Sequence, residues 1–464
     1  MTVHLSSLVR AATVAAGTLA FGVAAVGCGG DSGGRFPANN CSDFDTANCV
    51  EIEGGDAAGL LAAVNALGDD TTIILGPGTF AMDNQVTIRG ANGVNLVGQG
   101  MDETVLVFTG NTAQSNGIDV IADDFVVQDL HVLDAPKDGI RVEASTGVTF
   151  RRIRSSWTNP GRGTNGAYGI YPVRCFDVLV EDSEAINASD AGLYVGQCHR
   201  VVVRRNRVLD NVAGLEIENT EYADVYENHA EGNTMGFLVY DLPGNPVVGR
   251  DVHIHDNTAR ANNGRNFSPG GTVSLVPAGL GLVIASSRRV IVDGNTFEGN
   301  YAQDIAIASG LLIEQSEAAW ELTPANIVGD FAELGLPAGA TPGTVVNFAV
   351  TDVVVRNNTH MRVETRHDIV RQLGALISGA YDGATPAAVL YDGLGESMFN
   401  AADGSMTSND ANICVGENNA TFVNIDVESQ AAAPPFAPIL YLQSDELFAY
   451  GCTSFTPALV PVEL

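Results

Sequence analysis

From residue 117 onward the chain alternates apolar and variable positions in short bursts, each opened by a glycine: GIDV at Gly117, GIRV at Gly139, GIYP at Gly169, GLYV at Gly192, GLEI at Gly214, GFLV at Gly236 and GLVI at Gly281. The spacings are 22, 30, 23, 22, 22 and 45 residues. A period of two marks a strand with one buried face. A repeat near 22 residues is too short for a pair of helices and too irregular for a leucine-rich repeat; it fits one turn of a solenoid. The predicted fold is all-β, a single-stranded right-handed parallel β-helix with an N-terminal capping helix and lateral loop insertions. Equivalent positions of successive coils then stack about 4.8 Å apart, so the sequence can be read as columns.

One column is asparagine: Asn206, Asn228 and Asn295 follow their glycines by fourteen residues, and Asn257 and Asn358 share the phase. Stacked amides at a turn hydrogen-bond one another and tolerate left-handed backbone, so this column is structural. Toward the N-terminus it changes to Ser183, Ile153 and Leu130. The 30-residue and 45-residue spacings place insertions near 157–167 and 259–279, both after a coil's last strand and before the next glycine. They are expected to stand as paired walls beside one sheet, where binding resides in loop-bearing scaffolds. DAAGLLAAVNAL, from Asp56 to Leu67, has an N-cap aspartate and helical spacing, and is expected to cap the open end. The expected organisation is a lipoprotein-type signal peptide at 1–27, a tether and small disulfide loop at 28–55, helix and main β-helix at 56–314, and coils with long loop or helical excursions and an end cap at 315–464.

Alternation also assigns faces. The residue after each glycine points inward and the next outward. The outward column is Asp119, Arg141, Tyr171, Tyr194, Glu216 and Leu238, with Glu143, Glu218 and Tyr240 one step further along and Asp241 at the exit. With Trp157 and Tyr168 from the first insertion, this is the expected groove: aromatic faces stack on sugar rings while carboxylates and arginine bond hydroxyls. The alternative is a solvated face with tyrosines suited to strands. Glu216 and Glu218, about 7 Å apart on one strand face, and Arg141 are the candidate catalytic residues, since a glycosidase needs two carboxylates and a lyase a base. On another strand, DVHIHDN sets His253 and His255 on one face with Asp224 beside them, a candidate zinc or copper site. Calcium is the other cofactor considered, needed where an acidic sugar meets acidic residues.

Composition narrows the partners. Fifty-five acidic against 23 basic residues give a net charge of −32, which argues against nucleic acid. Residues 11–27 form an uncharged run of small and apolar residues after Arg10, ending in AVGC and followed by GGDSGG. This reads as a lipoprotein signal with Cys28 lipidated, although leucine is usual where Ala25 stands; a plain secretory signal is the alternative. Six other cysteines remain. Cys41 with Cys49 and Cys414 with Cys452 flank the main run, while Cys175 and Cys198 each follow their glycine by six residues. That shared phase places the last two in adjacent coils, as a disulfide or a buried thiol column.

GTNGAYGIYPVRC, SDAGLYVGQC, AGLEIENTEYADVYEN and FLVYDLPG resemble segments of a family of exported, lipoprotein-like bacterial parallel β-helix repeat proteins, distantly similar to the pectate lyase and mannuronan epimerase superfamily. The resemblance implies fold and an envelope location, and brings no catalytic residue with it; epimerase-like DPHD and paired-aspartate polygalacturonase motifs are absent. The expectation is a monomer, lipid-anchored at the outer membrane or in the periplasm, that binds a polysaccharide in the groove, with or without lyase, epimerase or glycosidase activity. A non-catalytic scaffold binding another protein is the alternative.

Overall fold

The structure is a computed structural model that describes residues 39–464 apart from 112, 323–345, 382–383, 395–408, 428–439 and 444. The signal segment and Cys28 lie outside the described residues. Each regular coil has three strands, as in Ala191–Gly196, His199–Arg204 and Arg207–Leu209. The first kind builds a 12-stranded sheet, here called the glycine face. The other two belong to a sheet of 20 strands bent at the asparagine corner into a middle face and a short face. Register is in phase from coil to coil: Leu193 pairs with Leu215, Leu215 with Phe237 and Phe237 with Leu282. These residues, with Ile118, Ile140 and Ile170, fill the lumen as expected.

The glycine column has a steric cause. A Cβ on Gly214 would lie 2.4 Å from the Gly236 carbonyl oxygen, and one on Gly169 2.5 Å from that of Gly192. The corners have a polar cause. Asn206 Nδ2 donates to Asn228 Oδ1 at 2.9 Å, Asn228 to Asn257 at 3.0 Å, and the ladder runs on through Asn295, Asn358 and Asn418. Ser183 joins it through its amide, which donates to Asn206. A second ladder, Asn211, Asn233, Asn262 and Asn300, occupies the corner before the glycine face. At each rung the preceding residue is left-handed, as at Arg205 and Glu227 (φ 56° for both).

The third corner holds small side chains, and here the disulfide expected between Cys175 and Cys198 is absent. Both are buried free thiols. Cys175 Sγ lies 3.3 Å from the Val173 carbonyl and Cys198 Sγ 3.2 Å from that of Gly196, as Thr220 Oγ1 lies 2.9 Å from that of Glu218. The Cys198 amide donates to Thr220 Oγ1 in turn. Each thiol thus takes a hydroxyl's place in a coil-to-coil ladder, which directs sulfur at a carbonyl rather than at sulfur. The other cysteines pair as Cys41–Cys49 and Cys414–Cys452.

The ends are closed differently. The helix Ala57–Asn65, capped by Asp56 Oδ1 accepting from the Gly59 amide at 2.8 Å, buries Leu60 and Val64 in the lumen. Before it, Asn48–Ile52 is already a strand paired with Thr71–Leu75, in a stretch expected to be tether and loop. At the far end Leu440–Leu442 pairs antiparallel with Phe422–Asn424, whereas the coil-to-coil pairings described are parallel. The C-terminal tail then returns over the middle face, its Thr453 and Pro457 carbonyls accepting from Arg356 and Arg289.

Candidate functional site

The glycine face lies between two sets of insertions, one at each strand end. The expected outward column does point away from the lumen: Tyr194 pairs with Glu216, and Glu216 with Leu238. It is not an open groove. Phe267, Val273 and Val276 of the 261–279 insertion, with Leu242 and Ile313 from the other side, pack on Tyr194, Leu238 and Tyr240 as a second core. The helix Gln372–Ala380 roofs the later coils over Leu390 and Val423. The two insertions also touch: a Cβ on Gly163 would lie 2.8 Å from the Phe267 carbonyl oxygen. The space expected between them is therefore filled by the chain itself.

This corrects the position of most expected groove residues. Tyr194, Glu216, Glu218, Tyr240 and Asp241 are buried. Trp157 is in the lumen core, its Nε1 donating to the Ala135 carbonyl at 2.7 Å. Asp241 accepts from the Gly249 amide and from Asn347, which fixes a corner. Tyr168, Tyr171, Arg141 and Glu143 are half-buried at the margin. Arg141 is engaged by Asp119 at 2.7 Å and Glu143 at 3.4 Å, so it does not stand as a free base.

Under the roof the polar groups form one network. Tyr240 OH lies 3.1 Å from Glu216 Oε2 and 2.8 Å from Glu218 Oε2, and Asn245 donates to Glu218 Oε1 at 2.7 Å. Tyr168 centres a ring trio, 4.7 Å from both Tyr171 and Tyr194, and its hydroxyl reaches Asp190 at 3.4 Å. Burial pushes Glu216 well above the usual carboxylate range, with the Asp190 and Glu218 charges adding to it. It likewise lifts Glu218, takes Asp190 to about 7 and Tyr171 to about 12. Gly196 is required here, since a Cβ would lie 2.3 Å from the Tyr194 hydroxyl. A neutral carboxyl beside a second carboxylate has acid–base chemistry in principle, but Glu216 is fully enclosed.

Open space lies on the other side of the 261–279 insertion. A cavity of about 620 Å3 is lined by Asn263, Arg265, Tyr301, Arg366, His367 and Arg371, among others. Asn263 accepts from the Tyr301 amide and donates to the Gly299 carbonyl, which pins the insertion to the next coil. Arg366 stacks 4.3 Å over the Tyr301 ring, and Arg371 donates to the Asn266 carbonyl. Most arginines elsewhere are ion-paired, as Arg152 is with Asp129 and Arg205 with Asp182. Arg265, Arg366 and Arg371 have no ion pair among the described residues. The cavity's carboxylate, Asp368, is occupied by the amides of Ala278 and Val370. Burial lowers the His367 pKa, so three arginines stand against the single Asp368 carboxylate in the cavity's charge.

Over residues 83–318, just over half of the 464, the sequence matches the family described as right-handed beta helix region. The chain belongs to the right-handed β-helix family. No curated protein matches it in sequence. Among solved structures this β-helix is similar to the A-module of an Azotobacter vinelandii mannuronan C-5 epimerase, at 14% identity and a TM-score of 0.43, covering 75% of this chain and 90% of that one. An alginate lyase from a Paenibacillus species is similar at 14% identity and 0.41, covering 68% and 95%. A Thermotoga maritima exopolygalacturonase is similar at 13% and 0.35, covering 56% and 86%.

On the middle face of the β-helix, Asp224, His253 and His255 are brought together as their strand positions imply. Asp224 faces His253 across the ladder, and His255 Nε2 is 2.9 Å from Asp224 Oδ1. The arginine cavity was missed by the sequence reading. Arg265 and Arg366 stand about a hundred residues apart in segments without repeat phase, and Arg366 has Glu364 and Asp368 beside it in sequence, so nothing in the sequence marked the arginines as a group.

Proposed function

We propose that this β-helix is an exported, lipid-anchored protein of the bacterial envelope that binds an anionic polysaccharide in the cavity between its 263–278 and 366–371 segments. The observation that carries this reading is the set of three arginines, none ion-paired among the described residues, around one cavity in a chain of net charge −32. Arginine forks match carboxylate and sulfate oxygens in pairs, and stacking on the Tyr301 ring holds the Arg366 fork in place. About 620 Å3 falls inside the range of small-ligand clefts, roughly 300–1,000 Å3. The remote acidic charge is screened over about 8–10 Å at physiological salt, so local arginines dominate at contact. The AVGC segment supports the anchor, and two disulfides suit an oxidising compartment.

The reading is of binding rather than turnover, because Glu216 and Glu218 lie beneath the roof and Arg141 is held by carboxylates. A protein partner is the second reading, favoured by Ile369 and Val370, which are 67% and 82% exposed on the cavity rim. Calorimetry with oligogalacturonate, sulfated dextran and neutral maltooligosaccharide separates them. The expected result is binding of an anionic sugar, none of the neutral one, and a loss of tenfold or more in Arg366→Gln/Arg371→Gln. Binding that ignores the double substitution, or no binding to any sugar, turns the assignment to the protein-binding scaffold.

A further inference from the structure

We propose that Asp224, His253 and His255 form a binding site for one divalent cation of the zinc class, with an open coordination position facing a cavity roofed by the C-terminal tail. It is the one group of three such side chains among the described residues whose donor atoms all lie within 4.8 Å of one another. His253 and His255 share the outer side of Arg250–His255, and Asp224 stands opposite His253 on Glu221–Tyr226. The sheet backbone therefore sets their separation, and neither histidine depends on a loop.

The distances suit a small ion. With metal–ligand bonds of about 2.0–2.1 Å in a tetrahedron, donor atoms sit about 3.3–3.4 Å apart. Asp224 Oδ1 is 2.9 Å from His255 Nε2 and 3.8 Å from His253 Nδ1, so small side-chain rotations bring both to the required separation. The rings stack with centroids 4.2 Å apart, and Tyr226 supports His255 from its far side at 4.9 Å.

Two further observations point to a ligand. His255 Nδ1 lies 2.8 Å from Asp256 Oδ2. A carboxylate behind the distal nitrogen is the partner that orients a metal-bound imidazole. With Asp256 behind it, His255 turns Nε2 toward Asp224 Oδ1, so that two donor atoms of the site face one another. His253, for its part, has its Nδ1 3.8 Å from Asp224 Oδ1, too far for a hydrogen bond, so this nitrogen stays available to a cation. Two imidazoles and one carboxylate favour zinc-class ions over calcium, which takes six or more oxygens.

The open position is where the tail crosses. A cavity of about 250 Å3 is bounded by Asp224, His253, Asp251 and Ile291 on the sheet and by 458–462 above. Arg289 holds that tail through the Pro457 carbonyl at 2.8 Å and by stacking 4.9 Å over Phe455. Three protein donors and an exchangeable fourth is the arrangement of a zinc site that takes water or an oxygen ligand.

The test is calorimetric titration of the chelator-treated full chain with Zn2+, paired with melting temperatures. The expected result is one equivalent bound with a Kd of about 1 µM or tighter and a raised melting temperature, with no response to Ca2+ at the same concentration. His253→Ala and His255→Ala should each weaken binding at least 100-fold, and Asp256→Asn roughly 10–100-fold with stoichiometry kept. Melting temperatures in chelator should match the parent's; should either alanine variant fail to fold, the isosteric Asp224→Asn reads the same loss. Absence of Zn2+ binding by the parent, or undiminished binding in a folded His255→Ala or Asp224→Asn, overturns the site.

Discussion

At Gly214 and Glu227 the same coil shows two opposite uses of backbone space. Gly214 is fixed by its neighbour: the Gly236 carbonyl occupies the place of a Cβ, so Gly214→Ala must push backbone apart and should cost about 2–3 kcal/mol. Glu227 is a side chain in left-handed backbone (φ 56°), a conformation that costs a non-glycine residue about 1–2 kcal/mol. Glu227→Gly should therefore stabilise by up to about 1 kcal/mol. Urea midpoints of the two variants decide it; a tolerated Gly214→Ala would mean that coil spacing does not set the glycine column. The column itself was legible because a steric demand repeated at fixed phase leaves one residue type. The left-handed corner was not, since aspartate, glutamate and arginine all serve there and no composition marks it.

Among elements, the asparagine ladders do the work that an exposed turn leaves to water. Asn228 takes the Asn206 amide and side chain on Oδ1 and gives Nδ2 to the Val203 carbonyl and Asn257. Asn228→Ala strands these buried partners and should cost about 2–4 kcal/mol, at about 1–3 kcal/mol per unsatisfied group. The same change at Asn95, which is only partly buried and makes one bond to Thr72, should cost under about 1 kcal/mol. Equal losses in thermal unfolding would show the ladder to be incidental. One ladder was read from the sequence and the other was not, although 206 and 211, 228 and 233, 257 and 262, and 295 and 300 keep a constant step of five. The roof was harder to foresee. Phe267, Val273 and Val276 are scattered among glycine, proline and serine, without the alternation that betrays a strand, so their burial could be seen only once the sheet beneath them had a shape. Asp224, His253 and His255 were legible because strand period and coil phase alone bring them together.

For the whole molecule, enclosed carboxyls govern the response to pH. Burial raises Asp190 and Asp241 to about 7 and Asp392 to about 6, and lifts Glu216 and Glu218 as well. Unfolded, such groups titrate near 4, so from about pH 4 to 7 the folded chain holds more protons and stability falls as pH rises. Other groups oppose this. Burial lowers His131 to about 4 and lowers His253 and His367 as well, which adds stability as pH rises from there toward the unfolded value of about 6.5. Burial would lift Glu181, but Arg151 and Arg204 hold it at about 2, so its contribution is lost only as pH falls toward 2. Above about pH 5 the lowered carboxyls are ionised in both states and the raised carboxyls outnumber the lowered histidines, so the melting temperature should peak near pH 4–5 and decline toward pH 8. Asp190→Asn should recover roughly 1–3 kcal/mol at pH 8 and little at pH 4.5; a melting temperature that climbs from pH 5 to 8 in both proteins contradicts the account. At this scale too, one detail at the far end sets how the molecule meets others of its kind. Coils laid in parallel make each exposed end a template on which a further coil could be seeded, the growth mode of a fibre. The reversed strand Leu440–Leu442 acts as a chain terminator does in polymerisation on the glycine face, and the C-terminal tail bonds over Val415 and Gly416 at the end of the middle face. With a helix plugging the opposite mouth, the repeat is a polymer of fixed length, stopped at both ends by its own sequence.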